Sequence, residues 1–91
     1  MHKQYEYKSV FASYINDYIQ AHRKAGFKFD NPAYWLYRFD RYCISYKVDE
    51  AVLTKALYDK WSEKYNTETK VTQNNRLQAL RGFSIYLNTI G

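Results

Sequence analysis

Cysteine, proline and glycine are scarce in this 91-residue chain, at one, one and three residues respectively. A single cysteine, Cys43, excludes an internal disulfide and fits a reducing compartment, with a buried free thiol as its expected state. So little Pro and Gly argues against a disordered or loop-dominated chain. No apolar run approaches the roughly 20 residues that span a bilayer, and "MHKQYEYKSV" lacks the apolar core of a secretory signal. The expected location is therefore cytoplasmic, with no membrane partner. His2 and His22 lie far apart without clustered cysteine or carboxylate companions, so neither a metal nor another cofactor is expected. The chain also lacks a Gly-rich phosphate loop, an HExxH pair and a nucleophile elbow, which leaves an independent enzyme unsupported. One absence is local: "KVTQNNRLQALRGFSIYLNTIG", residues 70–91, carries Lys70, Arg76 and Arg81 and no Asp or Glu.

What is present is basic and rich in tyrosine. The net charge is +5 and the chain holds eleven tyrosines, while its hydrophobic and charged fractions, 46% and 25%, are ordinary for a globular domain. A basic balance favours an acidic partner, either nucleic acid or an anionic surface. The length fits one domain over 1–91 that buries roughly 60–65% of its unfolded surface. No tyrosine has the activating base or cation that a nucleophile requires, so packing with the hydroxyl toward solvent explains them.

Apolar spacing predicts four helices and an all-α fold. The first runs from about Ser9, as N-cap, to Ala25, with Gly26 at its end and Phe11, Ile15, Tyr18, Ile19 and His22 near one face. Asn31 as cap and Pro32 at the first helical position open the second, whose inner stripe is Trp35, Leu36, Phe39, Tyr42, Cys43 and Tyr46. Thr54 caps a third helix through about Tyr65, with Leu57, Tyr58 and Trp61 inside and a sign-mixed outer face of Lys55, Asp59, Lys60, Glu63 and Lys64. After the polar connector "NTETK", Thr72 caps the fourth, with Leu77, Leu80, Phe83, Ser84, Leu87 and Ile90 on or near one face and Asn74, Gln78 and Arg81 together beside it.

Two surfaces suit binding. On the second helix Arg38 and Arg41 share a face with Tyr34 and Tyr37, combining charge, donors and flat rings; the alternative is that both arginines pair with Asp40 or nearby acids. At the start of the fourth, open backbone N–H groups after Thr72, together with Asn74, Asn75 and Arg76, would favour an anionic oxygen. Asn and Gln also match adenine edges and Arg matches guanine. Read structurally instead, Thr72 is a plain cap, Asn75 is exposed and Arg81 covers the core. A third patch, His22, Arg23, Lys24 and Lys28, either meets a phosphate or complements a helix dipole.

The stretches "FASYINDYIQAHRKAGFKF", "LYRFDRYC", "LTKALYDKW" and "TQNNRLQALRGFSIYLNTIG", in this order and spacing, resemble the N-terminal core-binding, or SAM-like, domain of tyrosine recombinases and phage integrases. The resemblance covers nearly the whole chain, and its most specific part is the "TxxNRLxxLRxFxxYL" pattern. It implies a compact four-helix orthogonal bundle that grips one face of a recombination-site duplex while a separate catalytic domain holds the other. It further implies DNA contacts from Arg38 and Arg41 and from Thr72, Asn75, Arg76 and Arg81. The family's catalytic Arg, His-x-x-Arg and Tyr would belong to a domain after Gly91, so this chain alone is not expected to cut or join DNA. The isolated domain is expected to be a monomer, and its full-length parent a tetramer on double-stranded DNA. The competing class is a helical protein-interaction module with a basic, tyrosine-rich surface, because aromatic and arginine enrichment also marks protein interfaces.

Overall fold

The computed structural model describes residues 5–63 and 68–90. Among them lie four helices, α1 (Ala12–Lys24), α2 (Asp30–Ser45), α3 (Lys55–Ser62) and α4 (Lys70–Ile90), and no strand. The all-α expectation therefore holds. His2, Lys64, Tyr65 and the Asn66–Thr67 part of the connector fall outside the described residues. No helix among those described is long and apolar enough to cross a membrane.

Helix starts differ from the expected ones for local reasons. Ser9 does organise the entry to α1, but as a turn: its hydroxyl accepts from the Phe11 N–H at 3.2 Å and its carbonyl from the Ala12 N–H at 3.0 Å. The helix proper thus begins at Ala12. Asn31 is not the cap of α2. That position belongs to Phe29, which sits in the left-handed region at φ 60° and makes no side-chain cap bond; Pro32 consequently falls within the first turn, where its missing N–H costs no intrahelical bond. Thr54 caps α3 as expected, accepting from the Leu57 N–H at 3.1 Å. Thr72 does not cap α4. Thr69 does, taking the Thr72 N–H at 3.1 Å, which places Thr72 inside the first turn.

Helix ends follow the left-handed stop. Gly26, at φ 99°, closes α1 while the Phe27 N–H reaches the His22 carbonyl at 3.1 Å. Lys47 takes the same role after α2 at φ 54°, with the Val48 N–H bonded to the Cys43 carbonyl at 3.0 Å.

The core gathers Phe11, Ile15, Tyr18 and Ile19 from the first segment, Leu36, Phe39 and Cys43 from α2, Trp61 from α3, and Leu80 and Phe83 from α4. Phe11 meets Phe39 at 5.5 Å and Phe83 at 6.1 Å between ring centroids, so one aromatic contact joins three segments. Tyr46 and Ile90, expected inside, are 62% and 50% exposed, and Ala79 lies inside instead. The buried stripe of α4 is Arg76, Ala79, Leu80 and Phe83, rotated from the expected one, with Leu77 half-buried.

Asp40 is fully buried on α2 and binds the chain entering α1. Its carboxylate accepts from the Lys8 N–H at 3.0 Å and the Ser9 N–H at 2.8 Å. The Tyr7 hydroxyl adds a bond of 2.7 Å to the Ala33 carbonyl. Hydrogen bonds to a charged acceptor contribute about 1.5–3 kcal/mol each, so these contacts fasten residues 7–9 across α2.

Candidate nucleic-acid interface

The cleft between α2 and the start of α4 has a volume of about 450 Å³ and is lined by Trp35, Arg38, Arg41, Tyr42, Ser45, Trp61, Glu68, Thr69, Thr72 and Arg76. Helical periodicity builds both walls. Trp35, Arg38, Tyr42 and Ser45 recur every three or four residues along α2, as Thr69, Thr72 and Arg76 do at the start of α4. A smaller hollow of about 310 Å³ adjoins it, lined by Asn31, Pro32, Trp35, Asn75 and Gln78 among others. Trp35 lines both and marks their boundary.

Arg38 and Arg41 stand exposed at the rim. Each is held by a tyrosine one turn earlier: Arg38 Nη1 donates to the Tyr34 hydroxyl at 2.9 Å and Arg41 Nε to the Tyr37 hydroxyl at 3.2 Å. The guanidinium carbons lie 5.9 and 5.2 Å from the respective ring centroids. Tyr37 is backed in turn by Tyr5, stacked at 5.0 Å. Tyr34 and Tyr37 are thus half-buried supports that orient two cations. Among the described residues no carboxylate pairs with either arginine. Asp40, the acid nearest in sequence, is buried and faces Lys8 and Ser9.

Arg76 is different. It is 2% exposed, and its Nε and Nη2 donate to the two Glu68 carboxylate oxygens at 2.9 and 2.8 Å. Nη2 also donates to the Glu63 carbonyl at 2.9 Å, and Nη1 to the Trp61 carbonyl. The guanidinium carbon lies 4.9 Å from the centre of the Trp61 ring. Arg76 therefore ties the end of α3 to α4, its guanidinium engaged inside the fold rather than displayed at the surface as Arg38 and Arg41 are. Since Glu68 neutralises it, the cleft's surplus positive charge comes from Arg38 and Arg41.

The remaining site residues separate. Asn75 and Gln78 line the adjoining hollow, while Asn74 and Arg81 are exposed on α4 outside both concavities. Lys28 is exposed in the α1–α2 connector, where its carbonyl accepts from Arg23 Nε at 3.0 Å. The basic patch around it is largely engaged: Arg23 pairs with Asp30 at 3.2 Å, and His22 stacks on Phe29 at 4.1 Å. Sequence reasoning placed Trp35, Tyr42 and Trp61 in the core alone and assigned no role to Glu68 or Thr69. The signal for the first was the alternation of aromatics with Arg38 along one helix face.

Burial pushes the Cys43 thiol up to about 12 and raises Tyr7 and Tyr18 from their ordinary range, so none of the three is an activated nucleophile. No cluster of His, Cys, Asp or Glu among the described residues has the makings of a metal site. No family model matches the sequence, and no curated protein or solved structure matches it either.

Proposed function

We propose that this chain is a non-catalytic DNA-binding domain, the SAM-like core-binding unit of a tyrosine recombinase, and that its α2–α4 face grips one side of a duplex. The observation that carries this reading is the placement of Asp40. With that carboxylate committed to Lys8 and Ser9, Arg38 and Arg41 remain unneutralised at the rim, pre-oriented by Tyr34 and Tyr37. Two oriented cations at the cleft and the amides of Asn75 and Gln78 in the adjoining hollow supply phosphate positioning and base-edge groups. Four helices are the number that the integrase core-binding bundle calls for. Strand cleavage would belong to a catalytic domain elsewhere in the parent protein.

Fluorescence anisotropy of a labelled duplex across a salt series tests it. For roughly four phosphate contacts, log affinity falls with log salt at a slope near about −3.6. Arg38→Glu combined with Arg41→Glu should abolish this binding while circular dichroism stays unchanged. A folded double variant with wild-type affinity would refute the assignment.

The protein-interaction reading has its own observation: Val52 and Ile90, 56% and 50% exposed, border a groove with Tyr14 and Leu87 at the other end of α4. No duplex binding at low salt, with Val52→Ser abolishing self- or partner association, would favour it.

A further inference from the structure

We propose that the cleft between α2 and α4 seats one unpaired nucleobase, so that the domain prefers DNA with an extrahelical or single-stranded nucleotide over a continuous duplex. The inference rests on the DNA-binding reading and specifies what that surface selects. Phosphates of an intact duplex lie on a convex backbone and call for exposed cations, which the rim provides. They do not call for a cleft of about 450 Å³ behind those cations. That volume falls within the roughly 300–1,000 Å³ of sites that enclose a small molecule, and three of its ten lining residues are aromatic. Trp35 and Tyr42, both half-buried, stand two helical turns apart on the same face of α2, and Trp61 forms part of the floor. A base entering past Arg38 and Arg41 would therefore stack on Trp35, since the Trp61 ring is 3% exposed with Arg76 over it and Tyr42 already packs on Tyr46 at 4.4 Å, with its own 5′ phosphate left at the guanidinium groups. Stacking on aromatic side chains is the means by which proteins hold unpaired bases, and it tolerates any base identity.

The polar lining fits the same occupant. Ser45, Thr69 and Thr72 edge the cleft; the Thr69 hydroxyl is committed to Thr72, which leaves Ser45 and Thr72 to match the donor and acceptor edge that a base exposes once unpaired. Arg76 contributes rigidity, since its carboxylate and carbonyl partners fix the floor on which Trp61 rests.

The chain's two tryptophans, Trp35 and Trp61, both line this cleft, so intrinsic fluorescence reports directly on its contents. The experiment pairs two measurements on the 91-residue chain. In the first, adenosine 5′-monophosphate should quench tryptophan fluorescence saturably, whereas inorganic phosphate at the same ionic strength should not. In the second, a duplex carrying one bulged 2-aminopurine should bind about tenfold more tightly than the fully paired duplex, within the range of base–aromatic stacking, and its 2-aminopurine emission should fall. Trp35→Leu should erase that preference, bringing the ratio of the two affinities to about one. Tyr42→Leu serves as the second variant if Trp35→Leu unfolds. Equal affinity for the two duplexes, without quenching by the nucleotide, overturns the base pocket and leaves the duplex interface standing. Quenching by the nucleotide without paired-duplex binding supports the pocket and refutes the duplex interface. No quenching by the nucleotide and no binding of either duplex refutes both.

Discussion

Arg76 and the Arg38–Arg41 pair line the same cleft from two helices, yet the protein gives their identical side chains opposite surroundings. Arg76 is enclosed by a carboxylate, two carbonyls and an indole ring. Arg38 and Arg41 each bond one tyrosine hydroxyl and otherwise face water. The difference lies in where the acids sit. Glu68 is carried against α4, its side chain 6% exposed, whereas Asp40 is turned away from α2's outer face to hold the N-terminal segment. One arginine has therefore become a fastening of the fold, and two remain available to a partner.

The largest expected effect comes from breaking the enclosed pair. Arg76→Ala takes the two-point guanidinium contact away from the buried Glu68 carboxylate, a change that costs about 3–5 kcal/mol. Urea unfolding followed by circular dichroism should show the midpoint collapse, against a total stability of about 5–15 kcal/mol for a domain of this kind. Glu68→Leu added to Arg76→Met removes both charges and should recover much of the loss, because an apolar pair of similar volume avoids desolvation. If Arg76→Ala unfolded at the wild-type midpoint, the contrast between the two arginine environments would be void.

The same contrast shows how far the sequence could be read. Element number and type were legible, because apolar spacing and the Thr54 and Gly26 signals are local properties that tertiary packing did not override. Which face of each helix turns inward was only partly legible. Arg76 stands four residues before Leu80 and seven before Phe83, and Asp40 stands four after Leu36 and three before Cys43. Both polar residues thus occupy core-stripe positions by spacing alone. Their charge concealed this, since burying a charge is favourable only beside a partner, and neither Glu68 nor the Lys8 and Ser9 amides are sequence neighbours. The cap of α4 was missed for a different reason: Thr69 and Thr72 are equally good capping residues, and only the hydrogen bond to Thr69 decides between them. The cleft itself needed α2 and α4 brought together, which no periodicity states.

Alkaline pH should weaken the enclosed layer next. An unfolded Cys43 thiol loses its proton near its ordinary value of 9.0, whereas the folded one holds it up to about 12. The folded state therefore binds more protons in that window, and stability, fully present below pH 9, falls as pH rises toward 12. Tyr7 and Tyr18, both raised by burial, push in the same direction at higher pH. Denaturant midpoints at pH 7, 9 and 10 should decline in that order, and Cys43→Ala should flatten the decline while lowering the starting value.

A smaller effect separates the two threonines at the start of α4. Thr69→Ala removes the acceptor of the Thr72 N–H and should cost about 1 kcal/mol, the usual value for a lost cap. Thr72→Ala removes a hydroxyl whose partner is Thr69 and should cost under about 0.5 kcal/mol, as surface changes do. Thermal unfolding of the two variants side by side would reverse the cap assignment if their order were inverted.

The smallest stability effects belong to the rim, and there they are most informative. Arg38→Ala and Arg41→Ala should each leave the unfolding free energy within about 0.5 kcal/mol of wild type, because neither side chain has a buried partner to orphan. Each should nonetheless reduce the magnitude of the salt slope of duplex binding by about 0.9, the value for one phosphate contact. Stability and slope thus move independently at the rim, whereas at Arg76 a loss of binding would follow from loss of the fold. A variant at the rim that lowered stability by more than about 1 kcal/mol would show that Arg38 or Arg41 also serves the fold, and the division drawn across the cleft would have to be moved.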